Sequence, residues 1–137
     1  MGLDYGSKTI GIAISDELGF TAQPVETVER NGENKLRKSL ARISEIVREK
    51  NIQKIVVGLP VNMSGKRGER VARTLEFVEK LKLRVDIPVV MQDERLTTVE
   101  ANEILRESGV RCEERKRYID QIAASIILKE YMERQDG

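Results

Sequence analysis

Four acidic residues occupy positions in the 137-residue sequence where a carboxylate could do chemistry. Asp4 lies inside a stretch that is otherwise typical of a first core strand, and Asp93 and Glu94 directly follow the apolar run IPVVMQ. Asp120 precedes the apolar segment of the last predicted helix. A buried carboxylate is costly unless it is paired, protonated or bound to a cation. These acids are therefore candidates for one shared site.

The absence of histidine limits the chemistry that such a site could perform. It excludes a Ser-His-Asp triad, a Cys-His pair and His-ligated zinc. Converging carboxylates without a basic partner would raise one another's pKa values unless a divalent cation neutralised them. Oxygen ligands suit Mg²⁺ or Mn²⁺, and two such ions about 4 Å apart stabilise both oxygens of a phosphoryl displacement. The predicted chemistry is metal-dependent hydrolysis of phosphodiester bonds.

Each acid also has an ordinary structural interpretation. Asp4 could cap a turn, and Asp120 could be an exposed helix residue or a partner of Arg117. Asp93 or Glu94 could end a strand in solvent. Because side chains alternate along a strand, these two cannot point at the same spot if the strand continues that far, and one of them is then structural. The joint placement of three acids favours the functional interpretation.

Length and composition predict one globular domain spanning residues 1–137. The chain has 39% hydrophobic and 34% charged residues, a net charge of +1 and a single cysteine, Cys112. This composition is typical of a soluble protein whose core needs no disulfide. The longest apolar runs are shorter than the roughly 20 residues of a bilayer span, so no membrane association is expected. The sequence does not begin with a signal-peptide pattern, and we expect a cytoplasmic location.

Hydrophobic spacing predicts nine elements in the order β-β-β-α-β-α-β-α-α. Residues 2–15 alternate with period two around a turn at Gly6-Ser7-Lys8, which predicts an antiparallel pair. Pro24 predicts that the third strand lies at a sheet edge. The later strands, IPVVMQ included, are expected to be buried. The predicted strands after the first pair span 21–28, 54–60 and 87–92, and the predicted helices span 33–50, 69–83, 97–109 and 114–134.

An antiparallel start followed by crossover units predicts an α/β, ribonuclease H-like fold. Its mixed five-stranded sheet would have three antiparallel strands first, then parallel strands, with helices on both faces. A doubly wound nucleotide fold would alternate strand and helix from the beginning. Ala123 and Ala124 would let the last helix approach the sheet, so that Asp120 could reach across. Gly2 and Gly6 would leave room around Asp4.

Basic side chains are clustered although the net charge is small. The loop NMSGKRGERVAR is a candidate for contact with a phosphate backbone, and a solvated helix start is an equally good interpretation. A second basic cluster lies shortly before Asp120, at Arg111, Arg115, Lys116 and Arg117. The residues predicted to bind substrate are Lys8, Lys66, Arg67, Arg70 and Arg95.

Four segments of the sequence resemble a known family. GLDYGSKTIGIAISD, IVVGLPVNMSG, DERLTTVEA and DQIAASIIL resemble, in this order and spacing, the YqgF (also called RuvX) family of pre-16S rRNA nucleases. These are relatives of the RuvC-type Holliday junction resolvases. The resemblance covers essentially the whole chain. The specific combination is DERLTT after a strand with DxxAA in the last helix, since GxDxG alone begins many other folds.

The resemblance implies a ribonuclease H-like fold with Asp4, Glu94 and Asp120 as catalytic, metal-binding acids. It favours Glu94 over Asp93, a choice that periodicity leaves open. It also implies Mg²⁺ or Mn²⁺ as cofactor and cleavage of the leader of precursor 16S ribosomal RNA in the cytoplasm. Only three residues precede Asp4, so either the first strand is short or the start is trimmed.

Two alternative functions stay open. One is a nuclease that resolves branched DNA, which would normally need a dimer to hold two sites on two strands. The other is a non-catalytic nucleic-acid-binding factor in ribosome assembly. The expected partners are therefore structured RNA, branched DNA or a pre-ribosomal particle, bound by a monomer or a homodimer.

Overall fold

The computed structural model describes residues 1–6, 8–16, 21–29, 36–60, 68–94, 97–109 and 112–136. Within those ranges it describes every side chain except those of residues 60, 68, 69, 93, 94, 97–100, 102, 112–117, 135 and 136. The strands are β1 (Gly2–Tyr5), β2 (Thr9–Ser15), β3 (Ala22–Glu29), β4 (Ile55–Pro60) and β5 (Val89–Glu94). The helices are α1 (Leu36–Glu49), α2 (Gly68–Lys82), α3 (Thr97–Glu107) and α4 (Cys112–Asp136). The element order of the described chain is the predicted one.

The five strands form one mixed sheet in the order β3-β2-β1-β4-β5. β1, β2 and β3 pair antiparallel, whereas β4 pairs parallel with both β1 and β5. The amide of Gly6 donates to the carbonyl of Thr9 at 2.8 Å and closes the hairpin between β1 and β2. β3, which contains Pro24, lies at an edge as predicted. The predicted sheet is confirmed, and its first strand is only four residues long.

The expectation that IPVVMQ forms a buried strand is wrong. β5 lies at the edge of the sheet opposite β3, so it has one neighbouring strand. Val89 and Val90 are half-buried, and Met91 is 44% exposed. The strand also continues through Asp93 and Glu94, beyond the predicted end at residue 92.

The larger hydrophobic core lies between the sheet and the helices α1 and α2. Helix α1 contributes apolar residues spaced by three and four positions, which places them on one face. The strands contribute the residues that alternate with those facing α4. The fully buried members include Leu3, Ile10, Ile12, Ile43, Ile55, Val57, Phe77 and Leu81. This face of the sheet is filled by large side chains.

Helix α4 covers the other face, and α3 packs against α4. Ala124, Ile127 and Leu128 of α4 contact Ala13 of β2 and Val56 of β4. No helix in the described ranges is long and apolar enough to cross a membrane. Helices on both faces of the sheet confirm the predicted layering.

The ends of the last two helices agree only in part with the sequence pattern. Gly109 has a φ of 77° and its amide contacts the carbonyl of Arg106, as expected of a glycine that ends a helix. Thr97 and Glu100 have the spacing of a capping box at the start of α3, and their side chains lie outside the described part of the structure. Helix α4 begins at Cys112, two residues before the predicted start.

Candidate active site

Asp4 lies on the face of the sheet that α4 covers. It is the third residue of β1, is 8% exposed and pairs directly with Gly11 of β2. Directly paired residues of antiparallel strands share a face. A Cβ built on Gly11 would meet the backbone of Asp120, which shows that this face is turned toward α4. The unusual acid of the first strand is therefore buried beneath the last helix.

Helix α4 brings Asp120 to the same place. A Cβ on Gly11 would overlap the carbonyl group of Asp120 and would lie 2.7 Å from the amide nitrogen of Gln121. The helix backbone thus rests directly on the strand at the position paired with Asp4. The hydroxyl of Thr9 donates a hydrogen bond to Oδ2 of Asp120, whose side chain is half-buried. The first strand and the last helix bring two predicted ligands into one small region.

The register of β5 places the positions of Glu94 and Asp93 on opposite faces. Val90 pairs with Val56, and both belong to the cluster that contacts α4. Because side chains alternate along a strand, position 94 lies on the same face as Val90, the face that α4 covers, and position 93 lies on the opposite face. Position 94 is therefore on the same side of the sheet as Asp4 and Asp120, as its predicted role as a metal ligand requires. The side chains of both residues lie outside the described part of the structure, and the assignment of Glu94 stays a prediction.

Gln92 is a buried polar residue between Val90 and position 94. It is 5% exposed, and its Nε2 has no hydrogen-bond partner within the described part of the chain. Its register partner is Gly58, which adds no side chain between β1 and β5. A buried donor without an acceptor costs about 1–3 kcal/mol. An unpaired donor on this face fits a site that an acceptor such as a phosphate oxygen completes.

The donors on this face suit a hard divalent ion. Carboxylate oxygens are the usual protein ligands of Mg²⁺ and Mn²⁺, and Mg²⁺ keeps several waters and takes only one or two carboxylates. Asp4 and Asp120 supply two such groups. Within the described side chains, no group of three Asp, Glu, His or Cys residues could hold a metal ion. The third predicted ligand, Glu94, lies outside that set.

Two of the predicted substrate-binding residues are described, and both are exposed. Lys8 lies in the turn that follows β1, and Arg70 lies in the first turn of α2, which follows β4 along the chain. Because β1 and β4 are parallel, their carboxyl ends lie on the same side of the sheet, and along the chain Lys8 follows the first and Arg70 follows the second. The side chains of Lys66, Arg67 and Arg95 lie outside the description, as do those of the basic cluster before Asp120.

Three residues of this region were not singled out by sequence reasoning: Thr9, Gly11 and Gln92. Period-two alternation places Gly11 on the other face of β2 from Ile10 and Ile12. Nothing in the sequence indicates that a helix backbone lies against Gly11. The role expected of Gly2 also differs in the structure. A Cβ there would lie 2.6 Å from the carbonyl oxygen of Ala124, so Gly2 admits the helix and does not leave room for Asp4.

Comparison with known proteins agrees with this architecture. Residues 1–134 match a family model described as RuvX: Holliday junction resolvase. A "Putative pre-16S rRNA nuclease" of Lachnospira eligens is 53% identical over 133 residues, which are 97% of this chain and 95% of that protein. A relative of the same name from Agathobacter rectalis is 50% identical over 133 residues, covering 97% of this chain and 93% of the relative.

The fold has a solved counterpart. The structure of T. thermophilus RuvC in complex with Holliday junction substrate superimposes with a TM-score of 0.64 at 16% identity, covering 99% of this chain and 94% of that chain. At this identity the likeness shows the fold alone, and it confirms the predicted ribonuclease H-like class. The predicted resemblance is likewise confirmed: because the family match and the relatives extend over nearly the whole chain, this protein belongs to the RuvX family of nucleases.

Proposed function

We propose that this chain is a divalent-metal-dependent nuclease that acts in 5′-end maturation of precursor 16S ribosomal RNA. The convergence of Asp4 of β1 and Asp120 of α4 over Gly11 carries the proposal. The name of the curated relatives supports RNA as the substrate. The site of action would be a pre-ribosomal particle in the cytoplasm.

Asp4, Glu94 and Asp120 are the residues that would hold the cation. When bound, Mg²⁺ or Mn²⁺ supplies a water of lowered pKa and stabilises charge on the phosphate oxygens. The chain itself supplies rigid attachment, because Asp4 is on a strand inside the sheet and Asp120 is on a helix that rests on strand backbone. Lys8 and Arg70 would contact phosphates of the nucleic acid beyond the strand ends.

A branched DNA substrate is the second candidate. The description of the family model favours it, and the RuvC structure contains a Holliday junction. Resolution of a junction requires two cuts, so this function would require two copies of the chain. Oligomeric state therefore separates the two candidates in addition to substrate.

Replacing Asp4 or Asp120 by asparagine tests the proposal. Each substitution keeps the side-chain shape and removes the charge that binds a cation, so we expect loss of Mn²⁺- and Mg²⁺-dependent cleavage with the melting temperature retained. The matched control is Asp86→Asn, because Asp86 is exposed and precedes β5 at the opposite end of the parallel strands. Cleavage of a precursor 16S rRNA fragment and a circular dichroism melt are the measurements.

The outcomes separate the candidate functions. Unchanged cleavage by either variant would contradict the assignment of its carboxylate. Cutting of a four-way DNA junction but not of the RNA, at one stated salt concentration, would favour the second candidate. Binding of either substrate without any metal-dependent cleavage would favour a non-catalytic assembly factor.

A further inference from the structure

The hydroxyl group of Thr9 contacts Asp120 across the interface between β2 and α4. Thr9 Oγ1 donates to Asp120 Oδ2, although the two residues are 111 positions apart in the sequence. We propose that Thr9 is a positioning residue that fixes the orientation of the Asp120 carboxylate. The inference rests on the proposed function, since it assigns Thr9 a role at the same site.

The donor is held in place by local structure. The carbonyl of Thr9 accepts the amide of Gly6 at 2.8 Å, which fixes the backbone at the start of β2. Threonine is branched at Cβ, so rotation about χ1 is restricted. The hydroxyl therefore has a defined direction before any ligand arrives.

The acceptor is held in place by the neighbouring glycine. Thr9 and Gly11 are two positions apart on β2 and share a face. The absence of a side chain at Gly11 lets the backbone of Asp120 contact the strand, within reach of the Thr9 hydroxyl. Glycine sets the position of the helix, and threonine sets the orientation of the carboxylate.

The expected consequence is tighter metal binding. An aspartate side chain can rotate about χ1 and χ2, and a hydrogen bond to one oxygen restricts the direction of the other. Residues that orient metal ligands typically change metal affinity or activity by about 10- to 100-fold when they are removed. A comparable change is expected when the Thr9 hydroxyl is lost.

Thr27 provides a matched control on the adjacent strand. Nε2 of Gln121 donates to Thr27 Oγ1 at 3.3 Å, and Thr27 pairs with Gly11 in the β2–β3 register. Both threonines thus contact consecutive residues of α4 through a hydroxyl. The hydroxyl of Thr9 contacts a predicted metal ligand, whereas that of Thr27 accepts from Gln121. A role confined to docking of the helix would affect both positions alike.

The test compares Thr9→Val, Thr9→Ser and Thr27→Val with the wild-type chain. The Kd for Mn²⁺ is measured by calorimetry without substrate, the Mn²⁺ dependence of cleavage is measured separately, and urea unfolding gives the stability. We expect Thr9→Val to raise the Kd and the half-saturating Mn²⁺ concentration by about 10- to 100-fold. Thr9→Ser, which keeps the hydroxyl, restores both values to near wild type, and Thr27→Val leaves both unchanged.

The remaining outcomes decide between failure of the inference and failure of the proposed function. If wild type binds Mn²⁺ and cleaves, but Thr9→Val has an unchanged Kd, the role of Thr9 is overturned and the function stands. Equal losses in Thr9→Val and Thr27→Val would also overturn it. If Thr9→Val does not fold, Thr9→Ala replaces it, and unfolding of both would assign Thr9 to packing alone. A wild-type chain that neither binds Mn²⁺ nor cleaves overturns the proposed function and the inference together.

Discussion

On the face covered by α1 and α2 the sheet buries large side chains, whereas beneath α4 the same strands contribute glycine and alanine. Leu3 and Ile12 are fully buried on the first face, and their neighbours Gly2, Gly11 and Ala13 lie on the second. Alternation along two strands thus produces two surfaces of opposite kind. One surface provides buried area, and the other allows a helix backbone to contact the strands.

This difference separates stability from positioning. Burial of a Leu, Ile or Phe side chain contributes about 1.5–3 kcal/mol, whereas glycine contributes no side-chain burial. Helix α4 is retained by Ile127 and Leu128, which are buried toward its carboxyl-terminal half. Its segment at Asp120 rests on Gly11 and contacts Thr9 through a polar side chain. Substitutions on the two faces should therefore have different consequences.

The largest expected effect on stability is that of Phe77→Ala in the core under α1 and α2. Phe77 is fully buried, and its ring stacks on Tyr5 with centroids 4.4 Å apart. Loss of this side chain should lower the free energy of unfolding by about 3–5 kcal/mol. Urea unfolding measures the loss. The Mn²⁺ Kd of the folded fraction should stay at the wild-type value.

A matched substitution of an exposed residue sharpens the result. Leu83 is 88% exposed, so Leu83→Ala should change the free energy of unfolding by less than about 0.5 kcal/mol. A large rise in the Mn²⁺ Kd of folded Phe77→Ala would show that the two faces are not separable.

Gly11→Ala is expected to have a smaller effect on stability and a larger one on the site. The added methyl group overlaps the backbone of Asp120, and overpacking of this kind costs about 1–3 kcal/mol. Because α4 must move away from β2, the Mn²⁺ Kd should rise together with the loss of stability. Calorimetry and urea unfolding on the same preparation measure both.

The control for Gly11 is a glycine whose substitution is costly for another reason. Gly109 has a φ of 77°, and no atom of the described residues lies within 4 Å of an added Cβ, so Gly109→Ala should strain the backbone by about 1 kcal/mol without moving α4. It should leave the Mn²⁺ Kd unchanged. If Gly11→Ala binds Mn²⁺ with wild-type affinity, the sheet face beneath α4 does not position the metal site.

The sequence predicted the elements well because their signals are local. Alternation over residues 2–15 and three-to-four spacing in α1 depend only on near neighbours. The edge position of β5 was not predictable in that way. An apolar run such as IPVVMQ looks the same whether the sheet continues past it or ends there. The number of neighbouring strands is a property of topology, not of the strand.

The candidate site was predictable in its acids but not in their surroundings. Asp4 and Asp120 were identified from their positions in predicted elements, and the resemblance selected Glu94 over Asp93. Periodicity left that choice open, because alternation places positions 93 and 94 on opposite faces without showing which face α4 covers. The Thr9 hydroxyl and the Gln92 amide carry no signal of their own, because the groups that face them come from distant parts of the chain.

The contrast between the faces extends to the edge strand β3, where polar contacts hold the helices. On the α1 side, Arg42 donates to both carboxylate oxygens of Glu26, at 3.0 Å and 2.7 Å. On the α4 side, the next residue, Thr27, accepts a neutral hydrogen bond from Gln121. The hydrogen bond from Arg42 lowers the pKa of Glu26 below its ordinary value of 4.5. Only the first contact depends on pH.

Glu26→Gln should therefore give the smallest effect of the three substitutions, with a distinctive pH dependence. A carboxyl group whose pKa is lowered in the folded state stabilises the fold above its unfolded pKa, and the contribution is lost as pH falls through the folded pKa. The pair lies at the surface, where ion pairs contribute little. The stability difference between wild type and Glu26→Gln should be present at about pH 7 and should shrink toward about pH 3. Thr27→Val should differ from wild type by the same amount at both pH values. An equal difference at both pH values for Glu26→Gln would mean that the contact acts through packing and not through charge.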